Sequence, residues 1–337
     1  MFRWGAVGVG GFFDRIIAPA MAADPNSSLA AVVSRDKRRG EAIAGRWDAE
    51  ASYTRYEDML ESPAVDAVYV ATPNALHSAQ VIAAAGAGKH VFCEKPLGID
   101  QREAAEAVDA CRMGGVALGI DFHNRYLPWV QDVTEMVDVG AIGDVILVEV
   151  DVGSGPRDYT NWRADPAMAG LGSVHNVGVH ALDFLGMILG SEPGEVLAMF
   201  DETPGRGSVE MLATILVRFD DGTLAYVNCN ERLTGPANTI RIHGSEGTIT
   251  GSGLTRSGSA GDLHVETPAG EEHRHYPVVE AHRLCLEAFA AAVMDGREPV
   301  PSGADGLRSA RLCEAIGRSA AEGRLQAVET GVERADG

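Results

Sequence analysis

The sequence predicts an α/β protein whose first part is a doubly wound parallel sheet and whose second part is richer in hairpins. Three observations carry that expectation. Apolar runs at residues 2–9, 29–33, 67–70, 90–93 and 116–120 alternate with helix-like stretches, the order of successive βα units. Three of those runs end in polar or glycine turns, and in an open parallel sheet the carboxyl ends of the strands are where ligands bind. After residue 121 the pattern changes to strand pairs flanking Asp220-Asp221-Gly222 and Gly244-Ser245-Glu246-Gly247, which are hairpin signals. The domains expected are therefore residues 1–121 and 122–337. Helices close the second at 280–294 and 304–322, and the C-terminal helix is expected to pack back on the first.

The first run leads into Gly8-Val9-Gly10-Gly11, with a helix expected over 13–23. This strand, glycine turn and helix order fits a dinucleotide site. Gly8 allows a tight turn, Gly10 lets a pyrophosphate approach the backbone, and the helix N-terminus faces the phosphate charge. Gly11, Phe12 and Phe13 complete the expected loop, with Phe13 where a third glycine is usual. The second run ends in Ser34-Arg35-Asp36-Lys37-Arg38-Arg39. A cofactor with a free ribose 2′-hydroxyl calls for an acidic side chain at this strand end. Ser34, Arg35 and Arg38 suit a 2′-phosphate instead, so NADP(H) is favoured over NAD(H). Asp36 keeps a ribose contact open.

Thr72-Pro73-Asn74 follows the strand at 67–70, and Glu94-Lys95-Pro96 follows the strand at 90–93. With the glycine turn, these place three polar turns along one rim. Lys95 is one of three lysines among 28 basic residues. A lysine kept in so arginine-biased a chain points to proton chemistry, because burial lowers the pKa of an ammonium and guanidinium does not titrate.

Composition narrows the class. Of the 337 residues, 45% are hydrophobic, and the formal net charge is −20, which excludes a nucleic-acid backbone or an anionic membrane as partner. An anionic cofactor must then be met by a local group of arginines. Five scattered cysteines without a C-x-x-C pair point to reduced thiols. No signal-peptide pattern or 18-residue apolar run is read, so a cytoplasmic location is expected.

The set G-V-G-G, A-T-P-N-A-L-H (Ala71 to His77) and G-K-H-V-F-C-E-K-P (Gly88 to Pro96) resembles the glucose–fructose oxidoreductase, inositol dehydrogenase and MocA family. The resemblance continues through Asn124-Arg125-Tyr126-Leu127-Pro128 and covers nearly the whole chain. It implies a Rossmann domain followed by an α+β domain with an open, mainly antiparallel sheet. One face of that sheet covers the nicotinamide, and the other commonly packs on another subunit. A homodimer or homotetramer is therefore expected. The resemblance also places Thr72, Pro73, Asn74, His77, Glu94 and Lys95 at the cofactor.

In the second part, the segment from Gly170 to Asp183 resembles the family's D-x-G-x-H-x-x-D helix start. Asn176, His180 and Asp183 fall at i, i+4 and i+7, one face of a helix. The resemblance makes His180 the catalytic histidine. Asn176 stands where aspartate is usual, and an amide cannot accept a proton. If it is a weakened aspartate, Asn176→Asp should raise the rate. His123, Tyr159, Trp162 and Arg163 join Asn176 and His180 as candidate substrate contacts, because an aromatic and cationic loop suits a polyhydroxylated ring. His264, His273 and His275 are read as polar strand positions, and no metal is expected.

The function expected is hydride transfer between a nicotinamide and a hydroxyl or carbonyl carbon of a sugar or cyclitol. His180 would act as acid/base, Lys95 would hold the same oxygen, and Asn176 would orient it. Two other readings stand beside it: a non-catalytic NADP-binding sensor, and a glycosidase that uses bound NAD for transient oxidation.

Overall fold

The apolar runs of the first part form β1 (Phe2–Val7), β2 (Ser27–Val33), β3 (Ala51–Tyr53), β4 (Ala67–Val70), β5 (His90–Cys93) and β6 (Leu118–Ile120). The structure is a computed structural model and describes residues 1–201, 209–235, 237–253 and 260–329. All neighbouring pairs in this first sheet are parallel, in the order β3-β2-β1-β4-β5-β6. The connections run through α1 (Ala18–Ala23), α2 (Lys37–Arg46), α3 (Tyr56–Leu60), α4 (His77–Gly86) and α5 (Gln101–Gly114). Strand order reverses between β1 and β4, and the carboxyl ends of that pair form the crevice in which doubly wound sheets bind nucleotides.

The single helix expected over 13–23 is a π-helical turn, Phe13–Ile17, followed by α1. Pro19 accounts for the change. It has no N–H to give the carbonyl of Arg15 and its ring crowds that carbonyl, so the preceding turn widens.

The chain divides into two compact units. The first is Met1–His123 with Glu280–Leu307, and the second is Asn124–Val279 with Arg308–Gly337. The core of the first unit is aromatic. Trp4 packs on Phe2 (4.9 Å between ring centroids), and Phe289 of the returning segment packs on both Trp4 (5.5 Å) and Phe92 (5.1 Å). Truncating such a ring to alanine typically costs about 3–5 kcal/mol.

The second unit opens with α6 (Pro128–Asp138), β7 (Val145–Gly153), α7 (Pro166–Ala169) and α8 (Val179–Leu189). Then come β8 (Pro193–Phe200), β9 (Leu212–Phe219), β10 (Leu224–Asn230), β11 (Thr239–Gly244), β12 (Thr248–Ser252), β13 (Gly261–Thr267) and β14 (Gly270–Tyr276). The closing helices are α9 (Ala281–Met294), which belongs to the first unit, and α10 (Gly303–Glu322), followed by β15 (Gln326–Ala327). The nine strands are ordered β14-β13-β12-β11-β7-β10-β9-β8-β15. Every neighbouring pair is antiparallel except β7 and β10.

Alternation sorts the two faces of this sheet. Val148, Val150, Ile215, Val217, Ala225 and Val227 are buried on one face. The other face exposes Leu197, Met199 (74%), Leu216 and Leu224. Residues 254–259, inside the polar stretch before β13, lie outside the described residues. No helix among the described residues is long and apolar enough to cross a membrane.

Candidate active site

In the first unit, Gly8 follows β1 with φ +84°, and a Cβ there would lie 2.4 Å from the Ala71 carbonyl carbon and 2.6 Å from the Thr72 nitrogen. Only glycine allows that φ and that approach. The turn after β1 is thereby pressed against the turn after β4, at the reversal of strand order. Gly10 and Gly11 continue the loop, and two arginines reach it. Arg15 Nη1 lies 2.8 Å from where a Cβ of Gly11 would be, and Arg39 Nη2 lies 4.0 Å from that of Gly10. Phe12 is 39% exposed, whereas Phe13 is fully buried beside Tyr69 (6.2 Å between centroids). Only the backbone of Phe13 is therefore offered to a ligand. A glycine cradle flanked by guanidinium groups fits a pyrophosphate.

Ser34 closes β2, its N–H donating to the Tyr53 carbonyl at 3.0 Å. Asp36 caps α2, its carboxylate accepting the Arg39 N–H at 3.2 Å. Arg35 and Arg38 are exposed at the same end.

His77 joins the other two turns. One ring nitrogen lies 2.7 Å from the Pro96 carbonyl and the other 2.8 Å from the Thr72 carbonyl. At 1% exposure the ring stands behind the rim as a buttress, not on it as a cofactor contact. Burial lowers its pKa. Asn74 is buried at the start of the Asn74–Leu76 turn, and Thr72 Oγ1 donates to Gln80 at 2.7 Å.

Beneath Lys95 lies a buried polar group. The Tyr69 hydroxyl is 2.6 Å from Glu94 Oε1 and 3.1 Å from Asp121 Oδ2. Asp121 Oδ1 is 3.2 Å from His123 Nδ1, and the His123 ring stacks on His282 at 3.6 Å. One hydroxyl proton cannot serve two carboxylates. Burial, then the Asp121 charge, pushes Glu94 up to about 8, with Lys95 opposing. Asp121 is held below its ordinary range: burial works the other way, and His282 and His123 outweigh it. Burial and His123 push His282 down to about 3.

Glu94 thus binds its proton more tightly when folded. Its contribution to stability is complete below about pH 4.5 and is lost as pH rises toward 8. Denaturant titrations at pH 5 and 8.5 should show wild type losing on the order of 3 kcal/mol more than Glu94→Gln over that window. Equal losses would show that Glu94 is ionised throughout.

In the second unit, the segment expected to begin a helix does so through a π-helical turn, Val174–Gly178, that leads into α8. Gly178 brings this turn against β10, since a Cβ there would lie 2.8 Å from Cys229 Sγ. Glu210 fixes its start, accepting N–H bonds from Gly172 (2.7 Å) and Val174 (2.9 Å). Burial pushes Glu210 up to about 7 against the pull of those N–H groups. His175 is buried, its Nδ1 accepting the Leu171 N–H at 3.0 Å, so it is local scaffolding.

Asp183 is held by Arg125 through Nε (2.8 Å) and Nη2 (2.5 Å), and their side chains are 5% and 10% exposed. His180 lines a small cavity with both residues, Asn124 and Val152. Asn176 Nδ2 donates to the Tyr159 hydroxyl (2.6 Å) and to Glu231 Oε1. Upstream, the Arg163 guanidinium stacks over Trp162 at 4.3 Å.

Residues 2–122 match the family model described as "Oxidoreductase family, NAD-binding Rossmann fold", and residues 130–250 match the "GFO/IDH/MocA C-terminal domain". The chain belongs to the GFO/IDH/MocA family. Its relatives include a 1,5-anhydro-D-fructose reductase of Ensifer adhaerens, 30% identical and covering 98% of this chain and 100% of that one. An inositol 2-dehydrogenase of Rhizobium meliloti is 28% identical, covering 96% and 98%. Among solved structures, the aldose–aldose oxidoreductase of Caulobacter crescentus superposes with a TM-score of 0.90 at 28% identity, covering 97% and 99%. This GFO/IDH/MocA protein is an NAD(P)-dependent oxidoreductase of the sugar and cyclitol class.

The GFO/IDH/MocA resemblance in the sequence did not reveal Arg15, Arg39, Glu210 or Glu231. Arg15, Glu210 and Glu231 fall in no local motif, and Arg39 is only the last residue of the basic run after β2. The only signal was the general need for arginines near an anionic cofactor in an acidic chain.

Proposed function

We propose that this enzyme works with NADP(H) on a CH–OH or C=O carbon of a small sugar or cyclitol, as a homodimer or homotetramer in the cytoplasm. The observation that carries the reading is the tied rim of the first unit. Gly8 is pressed on Ala71 and Thr72, and His77 bridges Thr72 and Pro96, so three turns are fixed around Lys95. The backbone of Gly8, Gly10 and Gly11 would receive the pyrophosphate, with Arg15 and Arg39 neutralising it. Ser34, Arg35 and Arg38 would take the 2′-phosphate. Asp36 supports this preference, because its carboxylate already caps α2.

Bound NADP(H) supplies or accepts the hydride. Lys95 stabilises negative charge on the reacting oxygen, and His180 moves the proton of that oxygen. Asn176 orients a neighbouring hydroxyl, and Trp162 with Arg163 offers a flat cationic surface to a sugar ring. The exposed apolar residues of the second sheet, Met199 and Leu216 among them, support self-association through that face.

Nicotinamide absorbance with 1,5-anhydro-D-fructose, myo-inositol and D-glucose, in both directions, tests the reading. Turnover is expected with at least one, with NADPH or NADP⁺ preferred. Arg38→Ala should then shift the NADPH-to-NADH preference in kcat/KM at least about tenfold toward NADH, the effect of losing one charge-assisted phosphate contact. An unchanged preference removes Arg38 from the cofactor site. Tight NADPH binding with no turnover of any polyol would favour the sensor.

A further inference from the structure

The edge hairpin of the second sheet, β13 with β14, carries a polar face that the proposed reaction does not use. Along it Asp262 stands opposite His275, His264 opposite His273 and Glu266 opposite Glu271. Side chains alternate along a strand, so these six share one face, while Leu263 and Val265 are buried on the other. Every one of the six is an imidazole or a carboxylate, side-chain types that bind divalent transition metals.

Three of the six converge. The His264 and His273 rings stack with 4.1 Å between centroids and 5° between planes, and His264 Nε2 lies 3.3 Å from Glu271 Oε2. One ligand atom from each of the three lies within 4.8 Å of the other two. Opposite residues of an antiparallel pair have Cβ atoms about 4.5–5.5 Å apart, so two imidazoles on one rung reach a common ion without moving the backbone. His273 is exposed and His264 half-buried, so the rings can turn until their in-plane lone pairs meet at one point.

Charge on the hairpin points the same way. Glu266 and Glu271 are exposed and directly opposite, and like charges so placed repel. Arg274 is the only arginine or lysine between Gly261 and Tyr276, and it lies on the other face. There it bonds Asp132 (3.1 Å) and Glu272 (2.6 Å). A bound dication would offset the repulsion on the polar face.

We propose that His264, His273 and Glu271 form a site for a divalent transition metal of the zinc class, which clips the edge strand β14 to β13. Water completes the coordination. Two imidazole nitrogens select against Mg²⁺ and Ca²⁺, which take oxygen ligands. The inference reverses the expectation from sequence that these histidines are only polar strand positions. Strand register, not spacing along the chain, brings the three together.

Calorimetric titration of the untagged, chelator-treated protein with Zn²⁺ and with Mg²⁺ tests the site. Wild type should bind one Zn²⁺ per chain, with Mg²⁺ at least about tenfold weaker. His264→Gln, His273→Gln and Glu271→Gln should each weaken Zn²⁺ at least about tenfold, the loss that follows even from removing an outer partner of a metal ligand. His275→Gln, on the same face but outside the three, should bind as wild type does. Zn²⁺ should also raise the melting temperature of wild type and leave that of the His264→Gln/His273→Gln variant unchanged. With their side chains turned to solvent, all variants should melt with wild type before metal is added. No Zn²⁺ binding by wild type, wild-type affinity in the double variant, or equal affinity for Mg²⁺ overturns the proposal.

Discussion

His180→Ala should lower kcat by about 10²–10⁴-fold while leaving NADPH binding intact. The imidazole is assigned the proton of the reacting oxygen, and the other titratable side chains among the described residues of its cavity, Arg125 and Asp183, are bonded to each other. His175, outside that cavity, is buried against the backbone of Leu171. Lys95→Ala should cost a similar factor. The double variant should lose far less than the product of the two, because groups acting on one oxygen act as a unit. Single-turnover kinetics with saturating NADPH, alongside fluorescence titration of the cofactor, measure both effects. Full turnover in either single variant would remove that residue from the chemistry, and a matching loss of NADPH affinity would make it a cofactor contact.

The largest effect on stability is expected from Asp183→Ala. It leaves the Arg125 guanidinium, 10% exposed, without its carboxylate. Breaking such a pair costs about 3–5 kcal/mol, because the remaining charge stays desolvated. For a chain of this size that corresponds to a fall in melting temperature of roughly 4–7 °C. Replacing both partners with apolar residues, Arg125→Met with Asp183→Leu, should recover most of the loss. A single variant that melts with wild type would mean water reaches the guanidinium.

Legibility in the sequence followed the range of the forces involved. Strands β4 and β5 were readable because four buried apolar residues sit between polar turns. Strand β8 was not, since Leu197 and Met199 place apolar side chains on its exposed face and erase the alternation. The two π-helical turns were also hidden, because hydrophobic spacing does not separate a widened turn from a regular one. Lys95, Asn176 and His180 stood out through local motifs. The sequence offered Asp36 as a ribose ligand, but its capping bond to Arg39 is a short-range competitor for the same carboxylate. Arg15 and Glu231 take their places through tertiary packing, and no stretch of sequence around them announces it.

The aromatic core of the first unit has a bearing on synthesis. Phe289, which wedges between Trp4 and Phe92, emerges only after the whole stretch Asn124–Val279 has been made. At roughly 5–20 residues per second, the nascent sheet waits about ten to thirty seconds with that wedge missing. A ribosome stalled before α9 would therefore carry a sheet with a bare aromatic surface, and that interval is when a holdase chaperone has something to grip.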